Sequence, residues 1–89
     1  MKKRIVASAL VSLMLAAAAQ AQSFQPDVNR PGAEYLAVEV DHARRCQSQC
    51  IDDLKCVAWN YVTAARSCRL MSERPPAVGD TCCVSGERR

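Results

Sequence analysis

The chain has 89 residues, six of them cysteine, and carries 12 Lys and Arg against nine Asp and Glu, a formal charge of +3. That excess is held by Lys2, Lys3 and Arg4, so the rest of the chain balances nine bases against nine acids. It offers no field of the kind that drives binding to nucleic acid or to an anionic membrane. A chain this short supports one small domain with a small core.

In chain order, the basic residues 2–4, the apolar run 5–15 and the small-x-small site Ala19-Gln20-Ala21 form a signal peptide over residues 1–21, cleaved after Ala21. The apolar run is shorter than a membrane span and no second one follows. The expected product is therefore secreted or periplasmic, begins at Gln22 and makes no stable membrane insertion. Removing 21 residues from 89 leaves 68, which hold all six cysteines. At that size a hydrophobic core alone supplies only about 3 to 5 kcal/mol, and an even cysteine count in an exported chain reads as a disulfide scaffold.

Residues 22–30, with Pro26, Asp27 and Asn29, read as an irregular lead-in, and Pro31-Gly32 as a turn. Residues 34–40 alternate as a strand whose buried face is Leu36, Val38 and Val40. Asp41 is placed to cap a helix that starts at His42 or Ala43, in which Ala43, Cys46, Cys50 and Leu54 recur at helical spacing. Asp52 and Asp53 oppose the dipole at a helix C-terminus, so the helix ends near Ile51 or Asp52. A strand over 56–62 sets Val57, Trp59 and Tyr61 against Cys56, Ala58, Asn60 and Val62. After a connection at 63–67 a second strand begins at Cys68. Residues 72–80, with Pro75-Pro76 and Gly79, form a surface loop, and 81–85 a last short strand. The reading is helix, strand, turn, strand, cross-linked by sulfur.

Several motifs together resemble the PAN/apple family, especially the PAN-type domains of bacterial exported proteins: PGAEY, C-x3-C-x5-C-x2-W-x-Y, then C-x-L, and the terminal CCVSG. The resemblance covers residues 31–86, with 87–89 left as a charged tail. It implies an α+β, disulfide-rich fold, an antiparallel sheet wrapped around one helix, and a non-catalytic module that binds proteins or carbohydrates outside the cell. It also implies the pairs Cys46–Cys68 and Cys50–Cys56. The pair that joins the two ends of animal apple domains has no counterpart here; Cys82 and Cys83 stand instead. Neighbours on a strand point to opposite faces, so three arrangements stay open for them: a bond between the two, exchange with the other four, or a link between chains.

For catalysis the chain offers one histidine, His42, in the first turn of the helix, with no nucleophile and orienting group in sequence reach. Asp52-Asp53 lack the surrounding pattern of a calcium loop, and C-x3-C-x5-C matches paired zinc knuckles poorly. The expectation is a monomer without cofactor or metal. Candidate binding residues are Tyr61, whose ring could stack on a sugar or a protein partner, Arg66 in the connection, Arg69 beside it, and the 72–80 loop. The alternatives are a redox-active or metal-handling protein built on Cys82-Cys83, and a secreted protease inhibitor or effector.

Overall fold

The computed structural model describes residues 23–88, so the expected signal peptide lies outside the described residues. The elements are β1 (Gln25–Asn29), β2 (Glu34–Glu39), α1 (Ala43–Asp52), β3 (Ala58–Val62), β4 (Ser67–Met71) and β5 (Val78–Glu87). The strands form one sheet in the order β1-β5-β3-β4-β2, antiparallel at every pairing, with α1 against one face. This is an α+β, disulfide-rich fold.

The helix is polar and buries only Cys46 and Cys50. What anchors it is sulfur: Cys46 bonds to Cys68 on β4, and Cys50 to Cys56 just before β3. All four are fully buried and join Trp59, Tyr61, Leu70 and Val40 in one cluster. The helix ends at Asp52, where Asp52-Asp53 predict, so Leu54, although it recurs at helical spacing, lies beyond it and is 91% exposed. The cap is His42 rather than Asp41: His42 is extended, and its Nδ1 accepts the Arg45 N–H at 3.3 Å. At the other end Arg88 donates to the carbonyls of Cys50, at 2.6 Å, and Ile51. That cation satisfies orphan carbonyls at the negative end of the helix, so residues expected to be a charged tail complete α1, while Glu87 closes β5.

Three further expectations are corrected. The lead-in contains β1, an edge strand paired to β5, where Pro26 is tolerated because it leaves few ladder bonds unmade. β5 starts at Val78, inside the expected loop, and pairs with Asn29 there. In β2 a bulge sets Glu34 and Leu36 against consecutive residues of β4, leaving Tyr35 as the extra residue. Tyr35 turns toward the core cluster with Val38, while Leu36, expected to be buried, is 42% exposed on the edge strand. Gly86 sits where the chain at Ser23 crosses Trp59; a Cβ there would collide with the Ser23 carbonyl and the Trp59 indole.

The Tyr35 hydroxyl donates to Asp53 Oδ2 at 2.7 Å, tying β2 to the end of α1. Burial, then the bond to Asp53, pushes the phenol up to about 12, and the same bond holds the Asp53 carboxyl below its usual range. The protonated phenol therefore adds stability that is complete below about pH 10 and lost as the pH rises through about 12. The carboxylate's contribution is present above the ordinary carboxylate range and lost as the pH falls through its lowered value. Tyr35→Phe is expected to flatten the alkaline decline of the urea midpoint. An identical decline in variant and parent would contradict this assignment.

Candidate functional site

The face of the sheet away from α1 is built by the alternate residues of the same strands. The register aligns Gln25, Ser85, Asn60, Arg69 and Ala37 as one row across all five strands, flanked on one side by the row of Met71 and Ala58 and on the other by the row of Val62 and Cys83. The row is polar although Asn60 and Ser85 are almost wholly buried.

Asn60 is satisfied from above. Its Oδ1 accepts the Arg30 N–H at 3.2 Å and its Nδ2 donates to Asn29 Oδ1 at 2.8 Å, so it clasps the end of β1 over the sheet. Arg30 is 7% exposed; its guanidinium donates to Gln25, the Pro75 carbonyl and Glu87. Gly32, with φ of 101°, and Ala33, with φ of 56°, then turn the chain into β2. The left-handed conformation at 32 is one that glycine adopts without steric cost.

Between this roof and the sheet lies a hollow of about 270 Å³, with Asn60, Val62, Arg69 and Met71 beneath it and Glu34 and the Cys82–Cys83 pair at its sides. Arg69 Nε donates to Ser67 Oγ at 3.5 Å and faces Glu34 Oε2 at 3.3 Å, both side chains close to half exposed. An exposed ion pair of this kind contributes about 0 to 1 kcal/mol to stability. The terminal nitrogens of Arg69 have no protein partner among the described residues, which leaves four of its five N–H donors available.

Cys82 and Cys83 are bonded to each other, with Cα atoms 3.7 Å apart. The β1–β5 ladder makes room for them: residues 80–83 stand opposite Asp27 alone, whose φ is 59°. The Cys82 N–H donates to Asp80 Oδ1 at 3.0 Å. Cys82 is partly exposed, whereas Cys46, Cys50, Cys56 and Cys68 are inaccessible to solvent. Attack by a thiolate on a disulfide needs access to sulfur. Limited treatment with dithiothreitol followed by alkylation is expected to label Cys82 and Cys83 well before the other four. Equal labelling of all six, read by mass spectrometry, would contradict that order.

The structure separates the other candidate residues. Arg69 lies in this hollow, but Arg66 is on the other side, exposed at a left-handed position that ends a 3-10 turn (Thr63–Ala65). It borders a shallower hollow with Asp41 and His42. Tyr61 is only 3% exposed and its hydroxyl donates to the Val40 carbonyl at 3.0 Å, so it floors that second hollow as part of the core and presents no ring for stacking. Trp59 is fully buried, its ring 5.7 Å from Phe24. His42 is occupied as the helix cap. Glu34, Asn60 and Arg30 are not among the candidates read from the sequence; Asn60, a polar residue between Trp59 and Tyr61, is the one local sign of a polar second face.

Among the described residues no helix is long and apolar enough to cross a membrane. Compared with known proteins, residues 28–84 match the family profile described as PAN domain. No match was found among curated proteins.

Proposed function

The chain belongs to the PAN domain family, and from that premise we propose that it is an exported, non-catalytic binding module that engages a protein or carbohydrate ligand through the hollow around Arg69. Domains of this family are generally modules that bind proteins or carbohydrates. The observation that carries the choice of surface is the Arg69 fork: four charged N–H donors, held at the mouth of a recess by Ser67 and Glu34, with no partner of their own. Charged donors lacking a protein partner are free to form charge-assisted hydrogen bonds with a ligand. Disulfides and the domain type suit an extracytoplasmic setting, secreted or periplasmic. Arg66 has a different part: its N–H donates to the Thr63 carbonyl at 3.2 Å to close the turn after β3, and its carbonyl accepts the Val40 N–H at 3.0 Å beyond the end of the β2–β4 ladder.

Immobilised domain incubated with solubilised cell-envelope material tests this. Arg69→Ala is expected to lower the retained ligand about tenfold or more, the loss that goes with a charged hydrogen bond of about 1.5 to 3 kcal/mol. Arg66→Ala is expected to retain it. Equal retention by Arg69→Ala and the parent would reject the surface.

A further inference from the structure

We propose that the Cys82–Cys83 bond is a reversible redox centre, which a dithiol opens and a small-molecule disulfide closes while the rest of the domain stays folded. This chemistry is separate from ligand binding at Arg69 and does not depend on it.

As a cross-link this bond does little. A disulfide stabilises mainly by closing a loop of the unfolded chain, and this one joins neighbours with no residue between them, whereas the other two bridge separations of 22 and 6 residues. Those two hold α1 to the sheet, and their sulfurs are inaccessible to solvent. The backbone does not depend on the Cys82–Cys83 bond either. On the β1 side of β5, residues 80–83 lie outside the ladder, opposite Asp27, so opening the bond breaks no β1–β5 pairing. On the other side, the β3–β5 register runs from Glu87 to Cys83, opposite Val62, and stops there. Cys83 is therefore held by the sheet, and Cys82 stands one residue beyond it.

The two cysteines are consequently unequal. Cys83 is 2% exposed, while Cys82 is partly exposed. Exchange needs access to the attacked sulfur, so the incoming thiolate meets Cys82. It bonds to Cys82 Sγ, and the Cys82–Cys83 bond breaks with its electron pair leaving on Cys83 Sγ, which takes up a proton. The second thiol of the reagent, once deprotonated, attacks the reagent's own sulfur in this mixed disulfide and releases Cys82, which is protonated in turn. The dithiol is thereby oxidised to a disulfide and the cysteine pair is reduced to two thiols, a transfer of two electrons and two protons. Adjacent positions in the chain keep the two sulfurs within reach of each other after reduction, so reclosure is a local, unimolecular step once a disulfide has reacted with Cys82. The fold thus carries one accessible, self-contained couple on a frame held by two inaccessible bonds.

The test equilibrates the isotopically labelled domain with increasing dithiothreitol, records backbone amide resonances, then blocks the free thiols and maps every pair by mass spectrometry. A range of dithiothreitol is expected in which Cys82 and Cys83 are thiols while Cys46–Cys68 and Cys50–Cys56 remain closed. The amide spectrum there should change only around residues 80–84 and their neighbours Asp27 and Val62. Oxidised glutathione, added after the dithiothreitol is removed, is expected to restore the Cys82–Cys83 bond in the same sample. The double variant Cys82→Ala/Cys83→Ala is expected to keep the parent's urea midpoint. Single variants test which sulfur is attacked: the lone Cys82 of Cys83→Ala should form a mixed disulfide with oxidised glutathione about tenfold or more faster than the lone Cys83 of Cys82→Ala, a difference that unfolding in urea abolishes. Loss of the folded spectrum together with the bond, failure to reclose, a midpoint of the double variant well below the parent's, or equal rates in the folded single variants would overturn the proposal.

Discussion

Replacing Cys46 and Cys68 together by alanine is expected to destabilise the domain by about 3 kcal/mol, the loop-closure value for a bond spanning 22 residues. The double replacement is the proper comparison, since a single one leaves a buried free thiol. Both sulfurs are fully buried, and the bond is one of only two buried attachments that α1 has. Its loss removes a constraint on the unfolded chain and also the main grip of a polar helix on the sheet. Where a small core supplies only about 3 to 5 kcal/mol, that is most of the margin. Urea unfolding followed by Trp59 fluorescence checks it: the midpoint should fall far below the parent's, and an unchanged midpoint would contradict the role given to the bond.

Trp59→Ala is expected to be at least as damaging, about 3 to 5 kcal/mol, the usual range for emptying the site of a large buried aromatic. Trp59 lies on the central strand β3, between Leu70 and Gly86 in register, and is the largest fully buried side chain. Phe24 packs on it, and the Arg44 guanidinium lies 3.8 Å over the Phe24 ring, so the N-terminal segment, the sheet and the helix meet at this indole. Circular dichroism should show a domain largely unfolded at ambient temperature. A variant melting within a few degrees of the parent would mean that the surrounding groups close the space and that the core is held elsewhere.

These two effects arise where the sequence was most legible. Cys46 and Cys50 four apart, then the alternating run through Trp59 and Tyr61, are local patterns whose periods translate directly into a helix face and a strand face. What was not legible depended on partners distant in sequence. β1 carries Pro26 and a left-handed Asp27, both signs of irregular chain, and it is a strand because β5, about 60 residues later, pairs with it. The burial of Tyr35 in place of Leu36 follows from a bulge set by the register against β4, which no alternation within 34–40 reveals.

The site follows the same division. Arg69 was legible as a candidate beside the 63–67 connection, and Cys82-Cys83 as an unusual pair. Their meeting with Glu34 and Asn60 depends on which strands neighbour each other, and that order, β1-β5-β3-β4-β2, is not local information. Arg66, only three residues from Arg69, ends on another surface because the left-handed residue that closes the turn is Arg66 itself. Proximity in sequence grouped two arginines that the fold separates.

Arginine footprinting with phenylglyoxal tests the location of the site most directly, because it needs no substitution. The domain would be modified alone and again when loaded with the envelope material it retains, and each arginine would then be quantified by mass spectrometry. Arg69 should lose reactivity on loading while Arg66 remains as reactive as before. Protection of Arg66 with Arg69 still reactive would place the ligand on the helix side and contradict the account.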